Sequence, residues 1–325
     1  MDNTMRLFCL ICDIIIIMKT KIGVLVLAMF APLTAEILNG STRLSELGTW
    51  NVFGGTILPY AFLIMVLAYL AQRAISRTSI LFLLPIAGII VEGLIVKSFF
   101  NVSFSDLSVL GGVGVWGGTQ WPWVISLTAS HAFVSFLIPL TLATFLMRDV
   151  QISKTLAYCS AGVLAMFVGW TTFALPHMFP EYWVKLSALT VIITVSVYLS
   201  RTVRIESSTA SSAPLWVFFL IGFLFPPLNW ITSFFLATKP LMVILAAQAI
   251  FVGTYLYFLW TQWFNQRTNE YKQLAFIAGY YIMFAVGLIF TGVRRDVSDY
   301  RFVGACLAVG IVALLVSAIR RSGRM

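Results

Sequence analysis

The fold class this sequence predicts is an all-α, polytopic bundle of about ten membrane-spanning helices, and three observations predict it. Of 325 residues, 60% are hydrophobic and 10% are charged. A soluble domain carries about 25% charged residues, so the charge that would cover a water-facing surface is missing. The charges that do occur fall between long apolar runs, such as Leu47 to Gln72 and Pro240 to Gln266, and each run exceeds the ~20 residues an α-helix needs to cross a ~30 Å hydrocarbon core. The runs are continuous and not alternating, which is the pattern of spanning helices and not of an outer-membrane barrel.

Taken in order, the spans fall at about 22–38, 55–75, 79–99, 122–147, 156–176, 183–202, 214–236, 240–262, 272–292 and 302–320. Residues 1–17 precede them as an extension or peripheral segment: "LFCLICDIIIIM" is short and contains Asp13, whereas "MKTKIGVLVLAMF" from Met18 reads as a basic start followed by an apolar run. That run goes straight into a polar helix end at Glu36 without a small-residue cleavage site, so it reads as a span and not as a cleaved signal peptide. Residues 18–325 form one integral membrane domain. Within it, "ESSTASSA" (206–213) reads as a flexible linker between a six-span part (18–205) and a four-span part (214–325). Pro226 and Pro227 predict a kink in the seventh span, because each removes a backbone donor.

Orientation follows from Lys and Arg. With a cytoplasmic N-terminus, the inner segments hold Arg6, Lys19, Lys21, Arg73, Arg77, Arg148, Lys154, Arg201, Arg204, Arg267, Lys272, Arg320, Arg321 and Arg324, fourteen of the 21 basic residues. That bias places both termini in the cytoplasm of a cell-membrane protein. The net charge of +9 then reads as topology and as contact with anionic lipid at the cytoplasmic face; no cluster dense enough for nucleic acid is present. Cys9 and Cys12 form a lone CxxC with no second pair to complete a zinc site, so neither a metal nor a cofactor is expected.

The third span carries the residues most in need of explanation. Ionisable groups within spans usually face the bundle interior or a water-filled cavity. Glu92 lies seven residues before Phe99, roughly 10 Å of helix, with Gly88 one turn earlier on the same face as a point of close helix approach. In the fourth span His131 comes nine residues after Pro122, roughly 14 Å, so Glu92 and His131 are expected at similar depth on adjacent antiparallel helices. Thr128 and Ser135, three before and four after His131, extend the same polar face. Lys97 stands 140° round the helix from Glu92 and is expected to snorkel to the outer interface and meet Glu36 there. The candidate site is therefore Glu92 and His131 as acid–base groups, with Glu36, Lys97, Thr128, Ser135 and Trp123 as substrate-binding residues.

The loop "SVLGGVGVWGGTQWPW" (108–123) contains a literal GxGxxG at Gly112, Gly114 and Gly117. A dinucleotide site needs that motif between a strand and a helix of a βαβ unit, which a loop between two spans does not provide. It reads instead as a folded cap over the Glu92 and His131 cleft, with Trp116, Trp121 and Trp123 anchored at the interface. His177, beside Pro176 and Pro180, belongs to another outer loop.

"APLTAEILNGST" (31–42), "VEGLIVKSFFN" (91–101) and "LGGVGVWGGTQWPWVISLTASHAFVSFLIP" (110–139) resemble an uncharacterised family of prokaryotic multi-pass membrane proteins, over roughly the first 150 residues. More faintly, Glu92 and His131 are similar to the CAAX protease and bacteriocin-processing family of intramembrane glutamate proteases, which implies a glutamate and histidine that activate water. Val91 stands where that family has a paired glutamate, Lys97 is at a different spacing from its basic residue, and no later span contains a His; Asn229 is the available late polar position. Three function classes follow: proton-coupled transport of a small solute, an intramembrane hydrolase of peptide or lipid, and a non-catalytic membrane scaffold.

Overall fold

Ten long helices account for nearly all of the computed structural model, which describes residues 21–38, 41–101, 113–147, 150–174, 181–209, 211–235, 238–265, 268–295 and 298–322. The extension at 1–17, with Cys9 and Cys12, lies outside the described residues, as does His177. The helices are α1 (21–37), α2 (Phe53–Gln72), α3 (Thr78–Ile95), α4 (Trp121–Met147), α5 (Lys154–Ala174), α6 (Tyr182–Thr202), α7 (Leu215–Ser233), α8 (Leu241–Trp263), α9 (Glu270–Arg295) and α10 (Ser298–Ser322). They follow the ten apolar runs within a few residues. Eight of them, α2 to α9, are long and apolar enough to cross a membrane. The described part of α1 reaches about 25 Å at 1.5 Å per residue, a little short of the ~30 Å core.

Helices α3, α4 and α9 form the middle of the bundle, while α5 and α6 turn most of their side chains outward. Met166, Trp170, Phe173, Trp183 and Val184 are among the large apolar groups these two present to the surroundings, as lipid-facing helices should. Between α7 and α9 the backbones approach closely because both contact points are glycine: a Cβ on Gly222 would lie 2.1 Å from the Phe276 carbonyl oxygen, and one on Gly279 2.0 Å from that of Phe219. Small residues at such crossings are how membrane helices gain packing without a hydrophobic drive between them.

Where α4, α7, α8 and α9 meet, Phe133 anchors an aromatic core. Its ring lies 4.5 Å from Phe225 and 5.2 Å, stacked, from Phe276, with Tyr255, Trp263 and Tyr280 around them. Offset and edge-on arrangements at these separations suit the ring quadrupoles.

The 206–213 segment is not free. Trp260 Nε1 donates to the Glu206 carbonyl, Thr78 and Ser207 share a hydroxyl contact of 3.0 Å, and the Ala213 amide donates to Gln262 Oε1. The described residues of the expected flexible linker are thus tied to the start of α3 and to α8, because the Trp260 and Gln262 side chains satisfy backbone groups of the segment. At the opposite end of the bundle, Val115–Trp116 pairs antiparallel with Thr119–Gln120. Gly117 and Gly118 connect these strands at φ +58° and +64°, the positive angles that a tight two-residue hairpin turn requires.

Candidate functional site

Glu92 and His131 meet. His131 Nε2 lies 3.0 Å from Glu92 Oε1, and the two side chains are only 12% and 7% exposed respectively for Glu92 and His131. The closeness has a backbone cause: a Cβ on Gly88 would come 2.7 Å from the Thr128 Cα, so α3 and α4 touch one turn away from the pair. His131 Nδ1 shares a 2.7 Å hydrogen bond with Ser135 Oγ, and the His131 ring stacks on Tyr60 of α2 at 6.0 Å. The other Glu92 oxygen accepts from Ser98 Oγ at 2.5 Å, and Ser98 Oγ accepts from Trp123 Nε1 at 3.1 Å. With both oxygens already holding a donor, the carboxylate keeps lone pairs for a third.

Ser98 reaches back to Glu92 because the chain reverses at Lys97, whose φ of +64° is left-handed. The expected snorkelling of Lys97 is therefore corrected. The reversal turns its side chain into the protein, where it is fully buried, donates to the Thr171 carbonyl and lies 4.9 Å over the Tyr182 ring. Glu36 does not pair with it. Instead Glu36 accepts from Thr42 Oγ1 at 2.9 Å and lines the same cavity as Tyr60, Glu92 and His131.

Glu36, Tyr60, Glu92 and His131 line one cavity of about 510 Å³. Exposed Ser41, Gly55, Val96 and Trp230 stand at its mouth, and buried Tyr60, His131, Val134 and Tyr280 at its floor. Trp123 also lines it; the indole is buried, so this tryptophan is part of the site wall and not the interface anchor its loop position suggests. Trp116 and Trp121 remain exposed. Asn229 of α7 completes the polar wall, its amide donating to Ser130 Oγ at 2.9 Å and to the Ser126 carbonyl. Below the floor the chain is closed: Thr34 Oγ1 donates to the Val134 carbonyl, Tyr281 to the Thr34 carbonyl, and the Phe133 core follows.

Two expectations fail here for geometric reasons. Thr128 does not face the cavity. Being 60° round from His131, it turns toward α3 and an apolar groove on the opposite side of α4, where its hydroxyl has no partner. The Gly-rich hairpin covers that groove, with Trp116, Gly117 and Thr119 on its wall, and not the polar cavity. Sequence reasoning missed Tyr60 and Ser98 altogether. Asn229, a lone amide in an apolar span, did carry a signal.

Local backbone geometry clusters at the same place: of six π segments among the described residues, five lie around the cavity and the sixth, Leu259–Trp263 in α8, lies away from it. Hydrogen bonds of the i to i+5 kind mark π turns at Leu33–Ile37, Phe53–Ile57, Ile89–Ile95, Ala132–Leu137 and Ile231–Phe235, as in Val96 N to Val91 O at 2.8 Å and Leu38 N to Leu33 O at 2.9 Å. They carry or adjoin Glu36, Thr56, Glu92, His131 and Asn229, one on each of the helices α1, α2, α3, α4 and α7. Single π turns inside helices recur at functional sites.

A sequence profile described as "Uncharacterized membrane protein family" matches residues 25–323. No curated protein and no solved structure matches the chain, so the likeness to the intramembrane glutamate proteases gains no support from these comparisons. The profile spans α1 to α10 and takes in every residue of the cavity: the chain belongs to this uncharacterized membrane protein family.

Proposed function

We propose that the protein is a membrane-embedded hydrolase in which Glu92 and His131 activate water against a carbonyl carbon. The observation that carries this reading is the 3.0 Å Glu92–His131 pair on the wall of a cavity that opens at one end and is closed beneath by Val134, Tyr280 and the Phe133 core. A hydrolase needs only such a one-sided chamber. A transport route needs free polar groups continuing beyond the floor; there the Thr34 and Tyr281 hydroxyls are taken up by the Val134 and Thr34 carbonyls, and the Phe133 aromatic core follows.

In this scheme the Glu92 carboxylate takes a proton from water as the oxygen attacks the substrate carbonyl. The same proton then passes to the departing alcohol or amine, and the acid product leaves with the water oxygen. His131, held by Ser135 and stacked on Tyr60, orients Glu92 and exchanges the proton with it. Tyr60 and Asn229 line the same chamber, and Asn229, whose amide is held by Ser130 and Ser126, fixes its wall. Glu36, Trp123 and Ser135 support or line the chamber; Lys97 acts through the turn that delivers Ser98. We further read the Lys and Arg bias as placing both termini in the cytoplasm of the cell membrane, with the cavity mouth on the outer side and anionic lipid at the inner face.

The test works on mixed substrates. The purified chain in nanodiscs is incubated in H₂¹⁸O with a total membrane-lipid extract and, separately, with a membrane-peptide pool. Products carrying ¹⁸O should form with the wild type and vanish with Glu92→Gln. Absence of labelled products, or equal labelling by Glu92→Gln, refutes the hydrolase. Proton flux into dye-loaded proteoliposomes that disappears with Glu92→Gln would instead assign the site to proton-coupled transport.

A further inference from the structure

On the face of α4 opposite the polar cavity runs a second and larger concavity of about 740 Å³. Its walls are α6 and α8, its floor is α3 and α4, and its lining is almost entirely apolar. We propose that this groove holds one acyl chain of a phospholipid whose phosphate is bound by Lys185.

Three observations carry the assignment. The first is length. On α6 the groove follows Lys185, Ala188, Ile192 and Ser196, a single stripe at steps of three and four residues. Lys185 to Ser196 covers about 16 Å of helix at ~1.5 Å per residue, close to half of a ~30 Å hydrocarbon core, which is the reach of one acyl chain in one leaflet. The second is width. Ala129 and Ala132 on α4 and Ala188 on α6 keep the channel open, where larger side chains would let the helices close on each other.

The third is charge. Lys185 is the cation on the groove wall and stands at its hairpin end. Its ammonium donates to the Gly118 carbonyl at 3.1 Å and lies 5.1 Å over the Phe100 ring. Of three N–H donors, that leaves two for phosphate oxygens. Glu181, one turn earlier, also lines this end and acts on the Lys185 ammonium; it would offer its carboxylate to the ammonium group of a phosphoethanolamine headgroup. Exposed Trp116 and Trp121 flank the same end, as indoles do at headgroup level. The hairpin, held over the groove by the Lys185 to Gly118 bond, is then a headgroup-level rim.

Native mass spectrometry of the full chain, released from nanodiscs of phosphatidylethanolamine and phosphatidylglycerol in equal parts, reads the occupant directly. One phospholipid mass per chain should persist under conditions that strip the annular lipid. Lys185→Ala should lower its retention about tenfold, the effect of losing one charge-assisted hydrogen bond. Ala188→Trp, which fills the channel, should abolish it. Lys154→Ala, a cation near Tyr158 away from the groove, should change nothing. Equal retention by wild type, Lys185→Ala and Ala188→Trp overturns the assignment. So does a retained mass equal to a free fatty acid, or no retained lipid at all. Lys185→Ala alters a partly exposed side chain, so it remains decisive should Ala188→Trp fail to fold.

Discussion

If Glu92 and His131 share one hydrogen bond, removing both must cost less than the sum of removing each. Glu92→Ala deletes two contacts, to His131 Nε2 at 3.0 Å and to Ser98 Oγ at 2.5 Å. His131→Ala deletes its bond to Glu92 and the 2.7 Å bond to Ser135. Hydrogen bonds to charged groups contribute roughly 1.5–3 kcal/mol and a stranded buried partner costs about 1–3 kcal/mol. Access to the cavity lets water recover part of that, so each single variant should lose about 2–4 kcal/mol. Neutral pairs between membrane helices couple by only ~0.6 kcal/mol on average, with a maximum near 1.7 kcal/mol. A carboxylate at 12% exposure should reach the upper end of that range, so we expect a coupling of about 1–2 kcal/mol. The assay is reversible unfolding in mixed micelles for the four proteins of the cycle, with Glu92→Gln as a fifth that keeps the geometry and should lose less than about 1.5 kcal/mol. A coupling below ~0.5 kcal/mol, the level at which independent sites add, would refute the shared bond.

Gly279→Ala should cost about 1–3 kcal/mol by overpacking, since its Cβ would collide with the Phe219 carbonyl oxygen. Gly253→Ala on α8, with nothing within 4 Å, should be neutral or slightly stabilising through helix propensity; thermal melting compares the two. Phe133→Ala should lose about 3–5 kcal/mol, because the ring touches aromatic neighbours from three other helices, and calorimetry in micelles reads the loss. At the mouth-side rim, Ser45 donates its hydroxyl and backbone amide to Asp299, and these bonds, with a smaller contribution from Arg43, hold the Asp299 carboxyl below its ordinary value. The tie is fully formed above the usual carboxylate range and fades as pH falls through the lowered pKa of Asp299. Amide protection over residues 41–50, taken relative to the intrinsic exchange rate at each pH, should therefore fall in acid, and Ser45→Ala should move that transition to higher pH.

The sequence made the fold legible because membrane insertion imposes a coarse rule: long apolar runs become helices, and ten runs became ten helices. It also made the Glu92–His131 pair legible, since two ionisable groups at matched depth on consecutive spans have few places to go. Side-chain direction was a different matter. Lys97 was read by helical phase, yet the helix stops just before it and a left-handed residue sends the ammonium inward. Thr128 was placed on the His131 face by its spacing, but the approach of Gly88 decides which side of α4 faces α3. Tyr60 bears on the site through a tertiary contact with His131, and Ser98 through the left-handed turn at Lys97, neither of which helical phase encodes.

The five π turns around the cavity have a consequence for how such a site is lost or gained. A π turn carries one residue beyond what the α-helical path needs, and each residue turns a helix by about 100°. Removing a single residue from Ile89–Ile95 would leave a span of nearly the same length and apolarity while swinging Glu92 away from His131. The chamber is thus encoded partly as chain count. Insertions and deletions of one residue therefore act on it by rotating whole side-chain sets about a helix axis.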